Sequence, residues 1–223
     1  MTYALAVSGS RRKEESNTTV ILNPFLEGMR DAGASVDLFY VENMDIRPCL
    51  GDFHCWREEN AGCIQSDDMD ILYNKLRRTE ILVLATPVYI PLPGKMQDFM
   101  NRLCCLLNPD LVVREGRTRA RFQSDVAIGK IVLVSTCGWW EMGNFGTVVR
   151  IVRELCEDAS VEFAGAVLRP HFSSMRRNEE KAREVLEASR RAGHQLVGEG
   201  RMSNDVLESV GQPLISHEDW LKE

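Results

Sequence analysis

The stretch ILVLATPVYIPLPG, residues 81–94, decides how this chain folds. Its first five residues are apolar without a break, too short for an ordinary helix and too continuous for a strand with one wet face. A parallel sheet covered by helices front and back demands such strands. The run stops at Thr86-Pro87, and Pro93-Gly94 open a segment with helical spacing over 94–107. Working outward, IVLV at 131–134 repeats the pattern, and shorter apolar runs stand at 3–7, 35–40 and 161–168. Segments of helical spacing fall between and after them, at 16–32, 67–78, 94–107, 145–158 and 178–197. Strict alternation of strand and helix predicts a doubly wound α/β sandwich.

Five strands with no sixth predict a flavodoxin-like parallel sheet in the order 2-1-3-4-5, with helices on both faces. A ligand would then lie over the loops at the carboxyl ends of the strands: 8–15, 41–66, 86–93, 136–144 and 169–177. Residues 1–200 read as this domain, with 43–66 as a cysteine-containing loop and 108–126 as a polar, basic excursion. Residues 201–223 read as a C-terminal tail that packs on a partner subunit.

A chain of 223 residues suits one core with long loops. The formal charge of -6 argues against a general nucleic-acid binder, so any phosphate ligand must be held locally. No basic leader precedes the first apolar run and no run approaches a membrane span; a cytoplasmic protein without a membrane partner is expected. In such a chain seven cysteines point to metal binding, redox chemistry or burial before disulfides.

The first loop, SGSRRKEESNTT at 8–19, has a single glycine and lacks GxGxxG, which counts against a dinucleotide lying across it. Ser16 is a natural N-cap, with Asn17, Thr18 and Thr19 in the first helical turn. Unpaired N–H groups and the positive end of the helix dipole favour a phosphate there, and hydroxyls from Ser8, Ser10, Ser16 and Thr18 add neutral hydrogen bonds. The alternative is that Ser16 only caps the helix and the arginines are solvated.

The loop from Thr86 to Gly94 is apolar and carries three prolines and Tyr89, a wall suited to a flat aromatic ligand or simply a stiff turn. The loop from Thr136 to Asn144 carries Trp139 and Trp140, of which at least one should be exposed. A phosphate grip at one end and aromatic walls at the other match the shape of FMN. No cysteine is followed six positions later by arginine, and neither G-x4-GK[ST] nor G-x-S-x-G occurs. Phosphatase, triphosphatase and hydrolase chemistries are excluded on those motifs.

Four stretches together resemble a known family: GSRRKEESNT (9–18), Pro48 to Trp56, Gly62-Cys63 with Asp67-Asp68-Met69, and ATPVYIPLPGKMQDFMNR (85–102). They look like the NADPH-dependent FMN reductases and iron-sulfur flavoproteins, over about residues 1–160. The resemblance implies that Ser10, Arg11, Ser16, Asn17 and Thr18 hold the FMN phosphate. It implies that Pro87, Val88 and Tyr89 lie along the isoalloxazine, with Thr136, Cys137, Gly138 and Trp139 closing the other side. It further implies an oxidoreductase passing electrons from NAD(P)H to a quinone, flavin, azo or nitroaromatic acceptor, working as a homodimer or homotetramer. An electron carrier served by a partner protein is the alternative. No side chain is assigned as catalytic, since hydride transfer needs none as acid or base.

Relatives with a [4Fe-4S] cluster look like C-x2-C-x2-C followed by a fourth cysteine; here Asp52 takes the second place and leaves Cys49, Cys55 and Cys63. A carboxylate is an uncommon cluster ligand, so the expectation is against an iron-sulfur cluster. Zinc on these three with His54 lacks the spacing of a known ribbon. Loop-packing thiols are the reading adopted. Cys104-Cys105 should place one thiol in the core and one at an interface, and Arg102 can make a helical ion pair with Asp98, one turn earlier, worth only some tenths of a kcal/mol. His171, in the fifth loop, reads as a plain loop histidine or as a group facing the flavin.

Overall fold

The computed structural model of the chain describes residues 1–57 and 62–222. The chain runs β1 (Tyr3–Ser8), α1 (Asn17–Asp31), β2 (Ser35–Tyr40), α2 (His54–Arg57), α3 (Met69–Leu76), β3 (Ile81–Pro87) and α4 (Gly94–Arg102). After a short turn, Leu103–Leu106, it continues with β4 (Val112–Arg114), β5 (Arg117–Arg119), β6 (Lys130–Thr136), α5 (Gly146–Ala159) and β7 (Glu162–Arg169). It closes with α6 (Glu179–Gly198), α7 (Asn204–Gly211) and α8 (His217–Trp220).

Five strands form one parallel sheet in the order β2-β1-β3-β6-β7, which is the 2-1-3-4-5 order predicted once the β4-β5 hairpin is set aside. Successive side chains of a strand face opposite ways, and the two faces differ in bulk. Ala4, Ala6, Val83, Ala85, Val132 and Val134 pack on the side of α1 and α6. Leu5, Val7, Leu82, Leu84, Ile131 and Leu133 pack on the side of α3, α4 and α5. Small side chains on the first face go with the close approach of α1 and α6. A Cβ on Gly28 would stand 1.8 Å from the Arg190 carbonyl oxygen, and one on Gly193 would stand 1.9 Å from that of Phe25.

The excursion at 108–126 holds the antiparallel β4-β5 hairpin. Arg119 pins it to α5, donating to Glu154 at 3.0 Å, to Glu157 at 2.6 Å and to Asp158 at 2.5 Å. Residues 201–223 lack a clear apolar period, yet Met202, Val206, Val210 and Leu214 all enter the core on the α1 and α6 side. Short helices with two or three inward residues each bury apolar area without displaying the long repeat that marks an amphipathic helix.

Candidate functional site

Ser16 caps α1 as the sequence predicts: its hydroxyl accepts the Thr19 N–H at 3.1 Å. Thr19 Oγ1 donates to the Lys13 carbonyl at 2.6 Å, folding the loop back over the helix end. The N–H groups of Asn17 and Thr18 have no protein acceptor among the described residues. Thr18 reaches inward instead of outward, and its hydroxyl lies 2.8 Å from that of Thr136 at the end of β6. Ser8, Ser10, Ser16, Thr18 and Thr136 are buried, whereas Arg11, Arg12 and Asn17 are exposed. The hydroxyls therefore shape the loop, and the exposed cations and amide face outward.

The loop's two arginines diverge. Arg12 lines an open cavity of about 540 Å³ together with Asn17, Gly138, Ser173, Arg176 and Trp220. Neither Arg12 nor Arg176 has an ion-pair partner among the described residues. Arg11 lies within 3.9 Å of Glu42 and faces a second cavity of about 660 Å³, lined also by Tyr89, Ile90 and Lys95. Arg176, in the fifth loop, has no signal in sequence that would single it out from its neighbour Arg177.

The third and fourth loops are tied through backbone: Val88 N–H donates to the Thr136 carbonyl at 3.0 Å, and Ser135 Oγ to that of Thr86 at 2.7 Å. Tyr89 and Ile90 project into solvent from this platform. The tryptophan pair divides as predicted. Trp139 is 64% exposed, while Trp140 stacks between His171, with ring centroids 4.4 Å apart, and His217, at 4.8 Å. Trp220 leans on both Trp140 and His217, so α8 covers this side of the site. Cys137 is buried, which pushes its thiol pKa up, and its sulfur accepts the Trp139 N–H at 3.3 Å.

His171 is buried and holds a left-handed backbone, φ 36°, a conformation that histidine adopts more readily than most residues. Its Nδ1 lies 3.0 Å from Arg169 Nη2, a donor, so Nδ1 accepts and the ring proton sits on Nε2. Arg169 is fully buried and its pKa is lowered to about 10 by desolvation. It donates to the carbonyls of Val210 at 3.1 Å and Gln212 at 2.7 Å, fastening the C-terminal segment to the end of β7. His171 is thus part of a buried brace.

A second constellation lies beside α4. Arg102 pairs with Asp67 and not with Asp98: Nη1 and Nη2 donate to the two carboxylate oxygens at 2.6 and 3.1 Å, and both side chains are fully buried. Burial alone would raise the Asp67 pKa; the bonds from Arg102 and from the N–H groups of Arg47 and Met69 overcome it and lower the pKa. Cys104 has its sulfur with those of Cys55 and Cys105, all three within 4.8 Å of one another. Cys105 is favoured as a thiolate chiefly by the hydrogen bond from Cys104, against burial, with Tyr73, Cys55 and Cys63 adding to it. The thiols of Cys104, Cys55 and Cys63 are correspondingly pushed up, Cys55 to about 12 and mainly by burial. Cys49, Cys55 and Cys63 do come together, in the wall of a cavity that Cys104 and Cys105 complete.

Known proteins share both the sequence pattern and the architecture. An iron-sulfur flavoprotein of Methanosarcina thermophila is 28% identical over 109 residues, which is 48% of this chain and 56% of that protein. The chain spans about half the length of the curated relatives it matches. A NAD(P)H:quinone oxidoreductase from Methanothermobacter marburgensis shares the fold, with a TM-score of 0.60 and 20% identity over 87% of this chain and 96% of that one. An FMN-dependent NADH-azoreductase from Bacillus anthracis, solved with FMN, has a TM-score of 0.57 at 10% identity over 90% of this chain and 97% of its own. Residues 2–149 match the NADPH-dependent FMN reductase family, and the chain belongs to that family.

Proposed function

We propose that the protein binds FMN across the ends of β1, β3 and β6 and passes electrons from NAD(P)H to a small quinone, flavin, azo or nitroaromatic acceptor. The observation that carries the reading is the pairing of Arg12 with Arg176 around a cavity that also takes in Asn17 at the open end of α1. Two cations without a carboxylate partner beside open helical N–H groups form an anion site that needs no basic face. Arg12, Arg176, Asn17 and the N–H groups of Asn17 and Thr18 take the phosphate, and the buried hydroxyls of Ser10, Ser16 and Thr18 hold the loop in shape. Arg11 stands toward the sugar or the incoming nucleotide, beside Tyr89.

Pro87 and Val88, fixed on the Thr136 carbonyl, give the ring a rigid edge; Tyr89 and Trp139 supply aromatic faces, and Cys137 and Gly138 supply backbone. When bound, FMN supplies the hydride-accepting ring, and the chain's part is to position it and exclude water. No titratable side chain of this set is required as acid or base. The protein is read as a cytoplasmic homodimer or homotetramer. Exposed Tyr89, Ile90 and Trp139 are consistent with partner contacts, and no helix among the described residues is long and apolar enough to cross a membrane.

The test is anaerobic. FMN is titrated into the protein, and NADH or NADPH should bleach the bound flavin in a ping-pong pattern. Failure of both nucleotides would overturn the reductase reading. A flavin-bearing electron carrier is favoured by one observation, the thiol cluster beside α4, and predicts slow bleaching by nucleotides but fast reduction by a ferredoxin-like donor.

A further inference from the structure

The cysteine loop is built onto the end of α4. Trp56, on the four-residue α2, donates its indole N–H to the Cys104 carbonyl at 2.9 Å, and Gln65 closes the loop by donating to the Pro48 carbonyl at 2.9 Å. These bonds bring Cys55 against Cys104 and Cys105, three sulfurs within 4.8 Å of one another and 49 residues apart in sequence between Cys55 and Cys104. Cys63 stands in the wall of the same cavity as these three. All of these thiols are reduced. Cys49 stands in the wall of the same cavity, about 290 Å³.

The residues do not fit the four-iron arrangement of the relatives. Asp52, in the place of the second cysteine, is exposed, and its carboxylate accepts the His54 N–H at 3.0 Å. The sulfur spacing disagrees as well. In a cubane each cysteine binds a different iron, which holds the thiolates well apart. Thiolates on one tetrahedral zinc-like ion, at about 2.3 Å from it, stand about 3.8 Å from each other, and the sulfurs of Cys55, Cys104 and Cys105, within 4.8 Å of one another, are a small side-chain rotation from that. Soft thiolate sets of this geometry select zinc-like ions.

We propose that Cys55, Cys63, Cys104 and Cys105 bind a single soft divalent ion as a mononuclear tetrathiolate centre that pins the 43–66 loop to the end of α4. Binding displaces the remaining thiol protons to solvent, and Arg102 beside Cys63 offsets part of the negative charge. The proposal does not rest on the flavin reading.

The test uses the full chain, reduced and freed of metal under anaerobic conditions, and titrated with Co²⁺ and then Zn²⁺. One equivalent of Co²⁺ per chain should bring up intense visible bands of a tetrahedral thiolate complex, at wavelengths beyond flavin absorption, and Zn²⁺ should remove them. Cys105→Ser and Cys63→Ser should each weaken Co²⁺ binding at least tenfold, whereas Cys156→Ala, on the buried face of α5, should leave it unchanged. Circular dichroism shows whether each variant is folded, and the wild-type titration decides the point even where a variant is not. No uptake of either ion, uptake of several irons with acid-labile sulfide, or unchanged binding in both folded serine variants would overturn the proposal.

Discussion

The hydroxyls of Thr18 and Thr136 lie 2.8 Å apart, both buried, and join the first turn of α1 to the end of β6 across 118 residues of chain. This bond sets the helix N-terminus relative to the loop that carries Trp139. Thr18→Val keeps the shape and removes the bond, which costs about 1 kcal/mol and somewhat more if Thr136 is left unsatisfied. Urea unfolding should show that loss, and FMN affinity should fall at least tenfold. Thr136→Val in the Thr18→Val background should add little, and additive losses in that cycle would mean that the two hydroxyls do not act together.

Arg12 and Arg176 face the same cavity from loops more than 160 residues apart in sequence order. Arg12→Ala and Arg176→Ala should each weaken FMN at least tenfold and leave riboflavin, which has no phosphate, nearly unaffected. Replacing Ser16, Asn17 and Thr18 together by alanine should abolish flavin retention in a protein that is still folded, less stable by about 2 kcal/mol for the lost cap and the lost Thr18–Thr136 bond. Equal losses for FMN and riboflavin would place the phosphate elsewhere.

Asp67 and Arg102 form a fully buried, two-bond ion pair, and removing either partner leaves a charge without compensation. Asp67→Asn should cost about 3–5 kcal/mol near neutral pH. The Asp67 pKa is lowered in the folded chain, so its contribution is present above the unfolded value and is lost as pH falls through the folded one. Wild-type stability should therefore decline below about pH 4, and Asp67→Asn should show a shallower decline there. Equal acid profiles for the two proteins would contradict the assignment.

Gly193 packs directly on the Phe25 carbonyl, where a methyl would stand 1.9 Å from oxygen. Gly193→Ala should destabilise by about 3 kcal/mol through separation of α1 and α6, although alanine is the better helix former. A thermal unfolding midpoint at or above the wild-type value would refute this packing.

Trp139→Ala should leave stability within about 0.5 kcal/mol, as is usual for an exposed position, while weakening flavin or acceptor binding. Trp140→Ala removes the ring that stacks on His171 and His217 and should cost about 2 kcal/mol, less than for a fully buried tryptophan. Paired denaturation and activity measurements separate the two.

The features legible in advance are those written in local pattern. Continuous apolar runs at 81–85 and 131–134 become central strands because nothing polar interrupts their burial. Ser16 announces its cap by residue type, and of two adjacent tryptophans at least one must be exposed because neighbouring side chains point different ways. The Asp67 partner of Arg102 is not legible in advance, for the opposite reason. Helical spacing offers Asp98, but desolvation of Arg102 between α3 and α4 makes the buried Asp67, with its backbone donors, the carboxylate that is held.

The sequence by itself determined the alternation of strand and helix, the Ser16 cap and the family, since each is written in residues close together in the chain, and the count of βα units carried the order of the sheet. Only the tertiary structure decided that Arg176 joins Arg12, that the C-terminal aromatics cover Trp140, and that Cys104 and Cys105 stand against Cys55 of the cysteine loop. Such contacts arise where separate βα units end at one edge of the sheet or pack on one helix end, and spacing along the chain carries no record of that distance in space.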